Sequence, residues 1–185
     1  LSSDHGAVPL DKYVNLNNYF ASKGWLKFRI DDKTGEPIID WQNSKVIYLK
    51  MAHVYINPQG LGGDYHRAGG EEYEALRDQV ITVLKELNDN GVKPVVDIVK
   101  WEDAKDYLQL DPDRAGDLVI ANSPGYGWNE EMSDDLKIFD SPLISGYKQA
   151  ILSDDVPGMW TPFVIMGPGI KQKKFLGDTP FNLVD

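Results

Sequence analysis

The chain has 185 residues, 42% hydrophobic and 26% charged, enough for one domain with a full core. Its net charge of −10 lacks the basic surplus of a general nucleic-acid binder, but it does not exclude a phosphate substrate, because bound divalent cations reverse the local field. With no cysteine there is no disulfide and no thiolate metal ligand, and no apolar run reaches bilayer length.

The first stretch, Leu1-Ser-Ser-Asp-His-Gly6, reads as the end of a strand running into a loop. Asp4 and His5 stand side by side where the chain leaves a sheet, so both can turn toward one ion. A carboxylate oxygen and an imidazole nitrogen are ordinary ligands for zinc or manganese, and Gly6 lets the backbone bend away. The plain alternative is a strand-to-loop turn with a solvated Asp-His pair.

Residues 7–13 read as a loop, and residues 14–23 as a short helix with Val14, Leu16, Tyr19 and Phe20 near a 3.6 period and Gly24 as its stop. Residues 25–30 predict a strand, residues 31–35 a turn, and residues 38–41 the return of a hairpin. Residues 46–49 and 53–56 are two further strands, followed by an irregular loop. Residues 71–90 give the strongest helix, with an apolar stripe of Tyr73, Leu76, Val80, Val83, Leu84 and Leu87 and with Glu71 and Glu72 at its positive end. Asn90-Gly91 ends it. Residues 94–101 read as a strand, 102–108 as a short helix, 117–121 as a buried strand, 123–133 as a loop and 160–166 as a last strand broken by Gly167-Pro-Gly169. Residues 178–185 read as the start of a helix, with Asp178 or Thr179 as N-cap and Pro180 in its first turn. Since the chain opens without Met and closes on that helix, it is expected to be a fragment of a larger protein. Strands and helices alternate, so an α/β or α+β layer fold is favoured.

Most other polar features have structural readings. His53 alternates with strand residues, as a hydrogen-bonded structural histidine does. His66 lies in the Gly-rich loop of residues 62–70 beside Asp64, Tyr65 and Arg67, either a solvated surface or a loop that closes over a substrate. Asp111-Pro-Asp-Arg114 reads as a turn. The pairs Asp134-Asp135 and Asp154-Asp155 read as solvated, and Lys171, Lys173 and Lys174 as a surface cluster. Trp128 is a packing residue before it is a stacking platform.

Several segments, in order, resemble the C-terminal half of the alkaline phosphatase superfamily, with the type I phosphodiesterase / nucleotide pyrophosphatase group as the nearest branch. Ser2-Ser-Asp-His-Gly6 is similar to that superfamily's SDHG metal motif. Residues 14–26, Asp40-Trp41 with Val54-Tyr-Ile-Asn57, residues 72–84, 113–119, 162–170 and 178–185 resemble the segments that follow it. The resemblance implies a central sheet flanked by helices, with an inserted α+β subregion over roughly residues 25–130, residues 1–185 forming the C-terminal part of one such domain. It implies a metal-dependent phosphoric ester hydrolase with two divalent ions, zinc or manganese, in which Asp4 and His5 are metal ligands. The nucleophile, a Ser or Thr, and the remaining carboxylate ligands would lie in the N-terminal part of the same protein, so this chain alone would be inactive. A small phosphate ester, not a nucleic-acid polymer, would be the substrate. A last His from a G-x-H turn is expected near Gly146-Tyr147, but Lys148 stands in its place. A protonated Lys does not ligate a metal and contacts phosphate as a point charge. The departure leaves a non-catalytic, ligand-binding member of the fold as an alternative, and a phosphomutase or sulfatase as another. His66 and Arg67 join Lys148 as candidate phosphate contacts.

Overall fold

A computed structural model describes residues 5–61, 65–144, 146–147 and 161–170. It is a mixed α/β structure whose strands divide between two sheets and a separate hairpin. The first sheet is organised on β1, Val8–Asn15. β1 runs parallel to β8, Gly125–Asn129, and antiparallel to two short strands, β9 at Phe139–Asp140 and β10 at Gly146–Tyr147. The second sheet has the order β4-β5-β7-β6, all antiparallel, from Val46–Leu49, His53–Ile56, Leu118–Asn122 and Val95–Lys100. The hairpin pairs β2, Phe28–Ile30, with β3, Pro37–Ile39. The chain therefore leaves the first sheet after β1 and re-enters it at β8.

Residues 7–13, expected as a loop, are mostly β1, and the first helix begins later than its periodicity suggests, as α1 at Leu16–Ser22. Along β1, Val8 and Leu10 are buried while Pro9 and Asp11 face out, the alternation of a half-buried strand, with a bulge at Asp11 where the register slips. Pro9 and the charged pair Asp11-Lys12 hide this pattern in the sequence. Residues 125–129, also expected as a loop, form β8. Gly125 sits at φ +85°, and the Asp11 carboxylate occupies the space where its side chain would be. In both corrections the ladder partner, far away in sequence, supplies what local propensity withholds. Of the strand expected at residues 160–166, Trp160 lies outside the described residues. Residues 161–166 contain one bridge residue, Phe163, and no named strand.

The long helix α2, Glu71–Glu86, stops four residues short of expectation, and Glu71, Glu72 and Glu74 occupy its first turn. Asn90-Gly91 does not cap it but forms a separate turn. A one-turn 3-10 segment, Trp101–Asp103, leads into α3, Ala104–Leu108. Val14, Phe20, Leu26, Val46, Ile47, Tyr48, Val54, Ile56, Val80, Leu84, Leu118 and Ile120 meet in one core that joins both sheets, α1 and α2. Each fully buried side chain of this kind contributes about 1.5–3 kcal/mol relative to exposure. Trp128 belongs to the same core, and its indole N–H donates to the Ile120 carbonyl at 3.3 Å.

Three nearby asparagines anchor the junction of β1 and α1, and one of them, Asn17, reaches the second sheet. Asn15, Asn17 and Asn18 are buried. The Asn15 amide donates to the Lys137 carbonyl at 2.9 Å and accepts from the Asn129 amide at 3.0 Å. Asn18 reaches Ser133 Oγ and the Lys137 carbonyl, both at 2.9 Å. Asn17 reaches the backbone of Tyr48 in β4 and of Glu130 beyond β8.

A second joint lies at the exit of α2. The Asp89 carboxylate receives Lys12 Nζ of β1 at 2.5 Å and the Tyr126 hydroxyl of β8 at 2.9 Å. Lys12 holds Asp89 below the usual carboxylate range. Burial, with Asp89 beside it, pushes the Tyr126 phenol up from 10.0 to about 12. The folded state thus keeps a proton that the unfolded chain releases, so stability falls as pH rises through the window from 10.0 to about 12. Tyr126→Phe is expected to flatten that fall, measured as urea midpoints across the window. A residual slope remains from Tyr65 and Tyr73, which are also raised. An unchanged profile removes Tyr126 from the account.

Candidate functional site

His5 and Gly6 lead into β1, both half-buried. His5 Nδ1 lies 2.7 Å from the Gly6 carbonyl oxygen. A carbonyl only accepts, so Nδ1 carries the proton, and in the neutral ring Nε2 keeps the lone pair with which a histidine ligates metal. An imidazole anchored through one ring nitrogen in this way fits a divalent ion through the other. Asp4 lies outside the described residues.

Alongside runs β10. Its Tyr147 pairs with Val8 and its Gly146 with Pro9. Gly146 and Tyr147 are the residues before Lys148, so the topology brings the strand of the expected G-x-H turn next to the chain leaving the Asp-His-Gly motif. Lys148 itself lies outside the described residues. Among the described residues, no group of three or more His, Asp or Glu side chains is arranged to hold a metal ion.

Arg67 belongs to a different cluster, built on the buried carboxylate of Asp117 just before β7, and His66 precedes it in the chain. Asp117 Oδ2 accepts from the Ile56 backbone N–H at 2.7 Å and the Tyr65 hydroxyl at 3.1 Å; Oδ1 accepts from Arg67 Nε at 3.1 Å and the Tyr73 hydroxyl at 2.6 Å. Arg67 also donates to the carbonyls of Pro112 and Ala115 at 3.2 and 2.6 Å, and its guanidinium carbon lies 4.3 Å from the centre of the Trp101 ring. Arg67 is thereby engaged inside the protein. His66, between two anchored residues, is exposed.

Burial first, and the Asp117 carboxylate second, push the Tyr65 and Tyr73 phenols well above their ordinary value, since a phenolate there would face a buried anion. The cluster continues through α2. Arg77, 3% exposed, meets both Glu102 oxygens at 2.7 and 2.9 Å and Glu74 at 2.5 Å. His53 is structural, as its strand position suggests. Its Nδ1 accepts from the Gly116 N–H at 3.0 Å, and burial lowers its pKa. Gly116 is required there, because a Cβ would stand 2.9 Å from both the His53 Cβ and the Val54 carbonyl.

A groove of about 420 Å³ between β6 and α3, lined by Asp97, Asp103, Asp106 and Tyr107, contains none of the residues the sequence singled out. The Asp117 cluster was not anticipated either. Its one sequence signal is a carboxylate at the head of the apolar run Leu118-Val-Ile-Ala121, a position that requires several buried donors.

Residues 1–147 match the family model described as type I phosphodiesterase / nucleotide pyrophosphatase. No curated protein and no solved structure matches the chain.

Proposed function

The chain belongs to the type I phosphodiesterase / nucleotide pyrophosphatase family, and from that premise we propose that it carries the Asp-His-Gly portion of a metal-dependent phosphoester hydrolase. Membership supports the activity class, hydrolysis of a phosphoester in a small molecule. The observation that supports a site at the start of β1 is the pairing of Val8 with Tyr147, which sets two distant motif segments on neighbouring strands.

Asp4 and His5 would hold a divalent ion, His5 through Nε2 with its ring oriented by the Gly6 carbonyl. When bound, two such ions, zinc or manganese, supply Lewis-acid polarisation and charge neutralisation for an in-line displacement at phosphorus. Lys148 takes the place of a ligand and acts instead as a fixed positive charge toward phosphate. His66 offers a hydrogen bond to substrate, while Arg67 holds the loop that presents it. The nucleophile and the remaining ligands come from the N-terminal part of the same protein. Residues from roughly 25 to 130 form an α+β subregion inserted in an alkaline-phosphatase-like domain, of which this chain is the C-terminal part.

The test is the protein together with its N-terminal part, assayed on a chromogenic phosphodiester with zinc or manganese, and weighed for bound metal. Asp4→Asn and His5→Ala are each expected to lower activity on the order of 100-fold or more and to lower metal content. Full activity with full metal content in both variants defeats the assignment. Tightly bound metal without turnover of phosphodiesters, phosphomonoesters or sulfate esters moves the protein to the ligand-binding reading that Lys148 raises.

A further inference from the structure

Asn90-Gly91 is the one Asn-Gly pair in the chain. It forms a two-residue turn, closed by Asp89 N–H to the Val92 carbonyl at 2.8 Å and Val92 N–H to the Asp89 carbonyl at 3.0 Å. The φ angles of Asn90 and Gly91 are +52° and +93°, as a type I′ turn requires. Both residues are exposed, and apart from its own chain neighbours no residue lies within 4 Å of where a Gly91 side chain would begin.

Such a pair is open to attack on itself. The Gly91 backbone nitrogen gives up its proton to solvent base and bonds to Asn90 Cγ. The Cγ–Nδ2 bond breaks and ammonia leaves, closing a five-membered imide. Water then opens the imide at either carbonyl, leaving an aspartyl or isoaspartyl residue. One water is consumed, one ammonia is released, and nothing is oxidised or reduced.

The folded turn restrains both partners in this step. The Gly91 N–H donates to Asn88 Oδ1 at 2.8 Å, which holds the proton that must leave. The Asn90 amide donates to Asp89 Oδ1 at 2.9 Å, which holds the group that must swing. We infer that Asn90 is a latent site of deamidation and that Asn88 keeps it latent in the folded protein. The site has a consequence because Asp89 is the joint between the exit of α2 and the first sheet, through Lys12 and Tyr126. A carboxylate at position 90 removes a donor from Asp89 and sets a like charge beside it. An isoaspartyl link adds a methylene to a backbone turn whose two closing hydrogen bonds depend on its length.

The test follows conversion at position 90 by peptide mass spectrometry during incubation of the intact protein. Asn88→Ala is expected to convert about fivefold faster than wild type, the factor for one ordinary hydrogen bond. Asn88→Asp, which still offers Gly91 an acceptor, should stay near the wild-type rate. The wild-type chain unfolded in urea should convert faster than the folded protein. Equal rates for Asn88→Ala and wild type, with matching circular dichroism, overturn the role of Asn88. Equal rates for folded and unfolded wild type overturn the latency.

Discussion

Replacing Asp117 by alanine lowers the free energy of unfolding by about 3–5 kcal/mol, the range for removing one partner of a buried charge pair. The side chain is fully buried, and each carboxylate oxygen accepts two hydrogen bonds. Its removal leaves a backbone N–H, two phenols and the Arg67 Nε without their acceptor. Arg67 is itself only 15% exposed, so its charge has little recourse to water. Arg67→Met is expected to cost less, because Asp117 keeps three donors, and the double variant should recover part of the sum, which marks a coupled pair. Urea unfolding followed by tryptophan fluorescence reads all three, with Trp101 stacked on Arg67 as the local reporter. Asp117→Asn retains the volume and tests the charge if the alanine variant is too unstable to purify. A loss below about 1 kcal/mol for Asp117→Ala means that the network contributes no more than an ordinary exposed pair.

This cluster also shows where reading the sequence stops. The elements that declare themselves by period or by a continuous apolar run, β4, β5 and α2, stand close to where residues 46–49, 53–56 and 71–90 place them. Such elements bury a face that their own residues specify. β1 and β8 do not declare themselves, because Pro9, Asp11 and Lys12 break the alternation and glycines dilute β8; only mutual pairing makes them strands. The site divides in the same way. Asp-His-Gly was legible as a motif, and the ring orientation of His5 then follows from one backbone carbonyl. That Gly146-Tyr147 lies beside the start of β1 is a fact of topology and leaves no trace in local composition. Arg67 was legible as a cation in a loop, but not as the partner of Asp117 and Trp101, since the three meet only after β5, β6 and β7 have assembled.

Asn17 carries the other large expected effect. Its amide lies in the interior, donating to the Tyr48 carbonyl at 3.1 Å and the Glu130 carbonyl at 3.3 Å, while its Oδ1 accepts from the Tyr48 N–H at 2.9 Å. Those contacts tie α1 to β4 and to the segment after β8, where the two sheets meet. Asn17→Ala is expected to cost about 2–4 kcal/mol, because it removes three hydrogen bonds of a buried amide to backbone groups in a place closed to water. Asn17→Asp separates the donor role from the acceptor role. A carboxylate keeps the bond from the Tyr48 N–H but confronts two carbonyl oxygens with negative charge, so its pKa in the folded protein rises above the ordinary value of about 3.9. The folded state then binds a proton that the unfolded chain has released, and stability falls as pH rises above that value. The Asn17→Asp variant should therefore approach wild type in acid, where the protonated acid donates to a carbonyl, and lose ground toward neutrality. Urea midpoints for wild type and variant at acidic and neutral pH decide it. A difference that stays constant with pH means the side chain at position 17 has turned away from Tyr48 and Glu130 and does not tie α1 to β4.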